Sequence, residues 1–203
     1  MPLVLERVQL VRDFRLSSKK AATRKQADTP TLFTENRQPS EDYIAIPEVS
    51  SGTRRYIPMG FLHPDTICSN KLQILPGASI YHFGVLMSNV HMAWMRTVCG
   101  RLKSDYDYSA KIVYNNFPWP VPTEKQKAKI EQSAQAILDA RALYPDCSLA
   151  VLYNEVTMPP ELRKAHQVND RAVMEAYGFW GKFNSESACV AELMKMYQQL
   201  ASN

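Results

Sequence analysis

The spacing of apolar positions changes repeatedly along this chain, and each change marks an element. Between residues 3 and 26, Val4, Val8 and Val11 together with Leu5, Phe14 and Leu16 recur at near-helical intervals with cations between them. That pattern predicts an amphipathic helix ending before Asp28-Thr29-Pro30. From Thr31 to Leu75 the pattern shortens to extended runs, Tyr43-Ile44-Ala45-Ile46-Pro47 and Arg54-Arg55-Tyr56-Ile57-Pro58-Met59, broken by proline and polar clusters. This reads as sheet with long loops. Ser79 to Met95 returns to a helical period, with Ile80, Phe83, Leu86, Met87, Val90 and Trp94 on one core-facing stripe. Thr97 to Val113 is extended again and supplies the sheet on which that helix is expected to pack. Period two puts Tyr106 and Tyr108 on one face and Lys103, Asp105 and Asp107 together on the other.

Pro118-Trp119-Pro120-Val121-Pro122 is a stiff interruption, after which the sequence turns helical. Thr123-Glu124-Lys125-Gln126 is a capping-box signature for a helix to about Ala142, with Ile130, Ala134, Ile137 and Leu138 inward. Pro159-Pro160 opens another, closed by Gly178, with Leu162, Ala165, Ala172, Val173 and Ala176 inward. A last helix from Ser185 to Leu200 presents Val190, Leu193, Met194 and Tyr197. The expected fold is α+β: a connecting helix over 1–27, a mixed α/β domain over 28–121, and a small C-terminal helical bundle over 122–203.

Composition excludes some classes. A chain of 203 residues with 45% hydrophobic and 22% charged positions can bury a substantial core and is not disordered throughout. Its longest apolar run falls well short of the roughly 20 residues that span a bilayer. Met1-Pro2-Leu3 leads into a charged helix rather than a signal peptide, so a cytoplasmic location is expected. Cys68, Cys99, Cys147 and Cys189 are too scattered for a zinc site and are expected as buried free thiols. His63, His82, His91 and His166 are equally isolated and read as structural, with His91 the one that could face a ligand.

Charge is unevenly divided. Residues 1–121 hold 15 Lys/Arg against 10 Asp/Glu, whereas 122–203 hold 9 against 10. The basic half contains the densest candidate chemistry, the run Gly100-Arg101-Leu102-Lys103-Ser104-Asp105-Tyr106-Asp107-Tyr108-Ser109 and, just beyond, Lys111 to Pro120. Alternating polar side chains can meet base edges, cations can meet phosphates, and the aromatic rings can hold the loop rigid. The plainer alternative is a half-buried strand whose charges face water. Catalytic signatures are missing. The seven glycines show no G-x-G spacing, Asn116-Phe117-Pro118-Trp119 has the wrong order for an Asn/Asp-Pro-Pro-aromatic tetrapeptide, and no Asp or Glu precedes a lysine by two positions as a metal nuclease requires.

Several separate words carry a family resemblance: Arg55-Tyr56-Ile57-Pro58-Met59-Gly60-Phe61-Leu62, Ser69-Asn70, Tyr81-His82-Phe83-Gly84-Val85-Leu86, His91-Met92-Ala93-Trp94-Met95-Arg96 and the segment above. Others are Ser17 to Lys25, Leu138-Asp139-Ala140-Arg141 and Met158 to His166. Together they resemble the target-recognition domain of MmeI-like DNA methyltransferases, large adenine methyltransferases often fused to a nuclease as restriction enzymes. The resemblance implies a C-terminal piece without catalytic or metal-binding residues, whose parent uses S-adenosylmethionine through a methyltransferase domain lying N-terminal to it. Its implied ligand is double-stranded DNA. Lys103 and Asp105 would read the base 3′ of the methylated adenine, with Lys-x-Asp accompanying guanine. Lys71 and Asp107 would face the base 5′ of it, Asp107 standing where relatives often carry Arg. Ser69, Asn70, Arg96, Arg101, Tyr106, Tyr108 and Asn115 would contact the DNA backbone or support the readers. The competing reading is a freestanding nucleic-acid-binding or protein-interaction module with no methyltransferase partner.

Overall fold

Pro2 occupies a first-turn position, where no amide donor is needed, and α1 (Pro2–Leu16) runs on from it. In the computed structural model, which describes residues 1–35, 37–183 and 185–202, the chain folds as two units, Met1–Gln38 and Pro39–Asn203. Within the first unit the expected single helix to residue 26 is interrupted. After α1 the backbone turns at Ser17-Ser18, and a short α2 (Ala21–Lys25) passes into a 3-10 turn at Gln26–Asp28. Arginines make the turn. Arg15 donates to the carbonyls of Gln26, Thr29 and Leu32 at 2.8, 2.7 and 2.7 Å, and Arg24 to those of Ser18 and Lys19 at 2.9 Å. No residue of α1 is buried within this unit, so its apolar positions form no covered face there.

The second unit opens with β1 (Tyr43–Pro47), whose residues Tyr43 to Ile46 are all buried. There follow β2 (Val49–Ser50), β3 (Gly60–Leu62) and β4 (Leu72–Pro76), with β1 paired antiparallel between β3 and β4. The expected extended run Arg54 to Met59 is not a strand. It is irregular backbone whose Tyr56, Ile57 and Met59 are fully buried, the Ile57 amide donating to Met92 Sδ at 3.4 Å and the Met59 carbonyl accepting from Arg141 at 2.8 Å.

The helix expected from Ser79 to Met95 is two, α3 (Ile80–Leu86) and α4 (Asn89–Val98). Ser88 ends one and caps the other: its hydroxyl donates to the Val85 carbonyl at 2.7 Å and accepts from the His91 amide at 3.3 Å. Because α4 continues to Val98, the extended segment begins later than expected, as β5 (Gly100–Leu102) and β6 (Asp105–Asp107). These strands form a second antiparallel sheet in the order β2-β6-β5. The chain then enters a π-helical turn at Ala110–Tyr114, where a strand was expected; the Trp94 indole donates to the Val113 carbonyl at 2.9 Å.

The helical C-terminal region comprises α5 (Glu124–Ala142), α6 (Leu149–Leu152), α7 (Pro160–Ala176) and α8 (Glu186–Ala201). The Thr123/Gln126 capping box forms, and Gly178 closes α7 at φ +67°, a conformation that favours glycine. Helix α5 packs against α7 and α3, and α8 packs against α4. Gly84 allows the α3/α5 approach, since a Cβ there would lie 2.7 Å from Ile130 Cγ2. One hydrophobic core therefore continues across Pro118–Pro122, from Ile44 and Trp94 to Leu162 and Leu193. The four cysteines are free thiols, but only Cys189 is buried, and Cys147 is exposed.

Polar groups are built into this core along α7. Asp170 accepts from the Tyr56 hydroxyl at 2.6 Å and from the Asn89 amide at 2.7 Å. Asn169 donates to the Gly84 carbonyl at 2.8 Å, and its amide oxygen meets the Ser133 hydroxyl at 3.0 Å. His166 Nε2 lies 2.7 Å from the Tyr153 hydroxyl, and its ring stacks on Tyr56 at 4.1 Å.

Burial drives the pKa of His91 to about 3, and burial aided by the Arg141 charge does the same to His166, against an ordinary value of 6.5. Between those values the unfolded chain binds protons that the folded chain refuses, so stability falls as pH drops below about 6.5. Asp170 acts oppositely, because burial raises its pKa to about 6 from 3.8, against the pull of its hydrogen bonds to Tyr56 and Asn89. Between pH 7 and 5 each histidine should cost about 2 kcal/mol while Asp170 offsets about 1 kcal/mol. Urea unfolding at the two pH values should show a net loss, smaller in His166→Gln. Equal or greater stability at pH 5 would refute this account.

Candidate nucleic-acid interface

Leu102 pairs with Asp105 across β5 and β6, leaving Lys103-Ser104 as a two-residue turn. Lys103 has φ +58°, the left-handed region that an L-residue rarely adopts, and is the one non-glycine with positive φ among the described residues. This corrects the sequence reading. Lys103 does not share a strand face with the aspartates but stands exposed at the hairpin tip, while Asp105 and Asp107 flank the buried Tyr106 on β6 as expected.

The hairpin is held from beneath. Arg101 lies over the Tyr106 ring at 4.3 Å, and the Tyr106 hydroxyl donates to the Gly52 carbonyl at 3.1 Å. One Asp105 carboxylate oxygen accepts from the Gly52 amide at 3.2 Å. Tyr108, buried beyond the end of β6, places its hydroxyl 3.1 Å from His91 Nε2. His91 therefore faces no ligand. Its ring is enclosed and sits edge-on to Phe117 at 4.6 Å.

Lys71 reaches the same region from the start of β4. Its amide donates to the Ser69 hydroxyl at 3.2 Å, its carbonyl accepts from the Glu48 amide at 3.0 Å, and its ammonium, 73% exposed, lies 3.9 Å from the Glu48 carboxylate. The Glu48 carbonyl accepts from the Tyr108 amide at 2.6 Å, its carboxylate accepts from Gln73 at 2.8 Å, and Val49 pairs with Asp107. The segment Glu48-Val49 thus joins Lys71 to Asp107 although they are far apart in sequence. Ser69 and Asn70 are exposed beside Lys71, and Asn115 is exposed after the π-helical turn. Arg96 is committed elsewhere, its Nε and Nη2 each donating to the Glu186 carboxylate at 2.8 Å and its Nη1 to the Arg55 carbonyl at 3.0 Å. Its place is the α4/α8 contact, which leaves it a supporting part.

Sequence reasoning missed Glu48 and Gly52. Glu48 carries no sequence signal, since a lone carboxylate between short strands looks solvated. Gly52 does carry one, as it follows Ser50-Ser51 in a turn-forming cluster.

The surface so assembled offers ammonium donors at Lys71 and Lys103, carboxylate acceptors at Asp105 and Asp107, and further exposed cations at Arg101 and Lys111. Among the described residues, no group of His, Cys, Asp and Glu could hold a metal ion. Donors and acceptors that are exposed at Lys71, Lys103 and Asp107 and half-buried at Asp105, on backbone locked by buried aromatics, are what a sequence-recognition module needs.

Comparison with known proteins agrees. Residues 1–121 match the MmeI target recognition domain, and residues 121–203 match the MmeI C-terminal domain. The chain belongs to the MmeI family and carries these two of its domains. DNA methyltransferase A of Bacillus subtilis (strain 168) is 41% identical over 199 residues, 98% of this chain and 22% of that protein. The solved structure of the type IIL restriction-modification enzyme MmeI in complex with DNA aligns with a TM-score of 0.92 at 50% identity, covering 100% of this chain and 27% of that one. The chain spans about a quarter of the length of these relatives.

Proposed function

We propose that this chain reads the bases around the target adenine for an S-adenosylmethionine-dependent DNA adenine methyltransferase. Cofactor and chemistry are supplied by a catalytic domain N-terminal to it in the parent protein. The observation that carries this reading is the placement of Lys103, Asp105 and Asp107 on the β5/β6 hairpin with Lys71 joined to it through Glu48-Val49, all four exposed or half-buried on backbone fixed by Glu48, Gly52, Tyr106 and Tyr108. Double-stranded DNA fits because a lysine can donate to the two major-groove acceptors of guanine while an aspartate accepts from the amine of the paired cytosine. The absent cofactor turn and Pro-Pro tetrapeptide support assigning no catalysis to this region.

Exchanging the pair, Lys103→Glu with Asp105→Arg, in a full-length parent should move the preferred base 3′ of the methylated adenine from guanine toward cytosine. Methylome sequencing of a host expressing the variant reads this directly, and an unchanged motif would sink the assignment.

Lys71→Ala separates base reading from phosphate contact. A reading lysine should lose about 1–3 kcal/mol of discrimination at the base 5′ of the adenine, whereas a phosphate contact would weaken all sequences alike and flatten the salt dependence. Affinities for the four bases at that position, at two salt concentrations, decide between them; a uniform loss rules out the reading role.

The isolated chain should transfer no methyl group from radiolabelled S-adenosylmethionine to DNA. Incorporation above a heat-killed control would overturn the division of labour.

A further inference from the structure

We infer that Gly52, which offers no side chain to any ligand, is a positioning residue for base selection through Asp105; the inference rests on the reading role proposed above. Three contacts converge on it. Its amide donates to one Asp105 oxygen at 3.2 Å, its carbonyl accepts from the Tyr106 hydroxyl at 3.1 Å, and a Cβ at this position would stand 2.5 Å from the Ser104 carbonyl oxygen. That last distance is one that real Cβ atoms essentially never show, and the obstructing atom is backbone, not a flexible side-chain end. The Lys103-Ser104 turn therefore closes directly onto the Gly52 peptide, and any side chain there must push the hairpin tip away.

The amide contact also fixes chemistry. With one oxygen of Asp105 held by Gly52, the carboxylate cannot rotate freely, and its other oxygen is aimed in a set direction. A carboxylate presenting one oriented acceptor suits a single base amine, whereas a freely turning one accepts from whatever donor approaches. Lys103 depends on the same contact, because its left-handed backbone is part of the turn that rests on Ser104 and Gly52. Gly52 thus governs both members of the reading pair without touching DNA.

The test compares Gly52→Ala, Tyr106→Phe and Asp105→Asn in the full-length methyltransferase, reading the rate of methylation with each of the four bases placed 3′ of the target adenine. Gly52→Ala should cut the preference at that base roughly tenfold while leaving preferences at the other site positions unchanged. Tyr106→Phe, which frees the Gly52 carbonyl without a clash, should cause a smaller loss at the same base, and it stands as the test by itself if Gly52→Ala fails to fold. An equal loss at every position, or no change in either variant, would overturn the positioning role. Asp105→Asn separates the two levels. If it changes selectivity and the other two variants do not, only the Gly52 inference fails; if it too leaves selectivity untouched, the reading role of Asp105 falls, and the inference with it.

Discussion

The row of polar groups buried along one face of α7 is what the second unit is assembled around. Asn169 and Asp170 follow His166 by three and four positions, so all three fall on the buried side of α7 and project into the core. Each fastens a different element: His166 the Tyr153 hydroxyl, Asn169 the Gly84 carbonyl of α3 and Ser133 of α5, and Asp170 the Tyr56 hydroxyl and the first amide of α4. Leaving any of these buried groups unpaired would cost about 1–3 kcal/mol. An apolar face would tolerate sliding of its neighbours, but hydrogen bonds of fixed length do not. The Asp170–Asn89 bond has a further consequence, since it sets where α4 starts and hence where the α3/α4 break falls.

That position propagates to the surface. Helix α4 carries His91, which meets Tyr108, and Trp94, which holds the π-helical turn at Val113. The hairpin lies between those anchors and the Glu48 and Gly52 peptides on its other flank. A surface that distinguishes bases by single hydrogen bonds needs its donors and acceptors held closely in place, and side chains on a loop achieve this only when the loop backbone is itself pinned. Here the pinning groups are buried aromatics and main-chain amides, whose hydrogen bonds are made within the unit.

Elements with a local cause were legible in the sequence. β1 begins and ends where the run Tyr43 to Pro47 does, because a fully buried central strand needs an unbroken apolar run. α5 and α7 follow from the capping box at Thr123 and from Pro160 and Gly178, whose backbone preferences act without help from the fold. The break between α3 and α4 was hidden by an apolar stripe that runs on through Met87 and Val90; Ser88 caps α4 locally, and Asp170, far along the chain, holds its first amide. The hairpin turn was hidden for a different reason. Lys103-Ser104 is none of the dipeptides that favour positive φ, so the alternation of Tyr106 and Tyr108 reads straight through a turn that the residue types do not announce.

The resemblance words divide along the same line, into side chains bonded inside the unit and side chains left on its surface. Arg141 of the Leu138–Arg141 word and His166 of the Met158–His166 word meet on the Tyr153 hydroxyl, with the Arg141 guanidinium also over the Phe83 ring at 5.2 Å. Arg96, Trp94 and Tyr56 from other words are likewise committed to internal partners. Lys71, Lys103 and Asp107 make no contact on which these internal bonds depend, because the peptides that carry them are fixed by the backbone of Glu48 and by the buried tyrosines. On the reading proposed above, the residue at 107 therefore sets what the surface offers to a base amine without changing the fold that presents it. Asp105 is the exception among the four, since part of its carboxylate belongs to the scaffold. A substitution there must both offer a new group outward and dispense with the Gly52 bond inward, which ties the choice of residue at 105 to the geometry of the turn in a way that positions 71 and 107 escape.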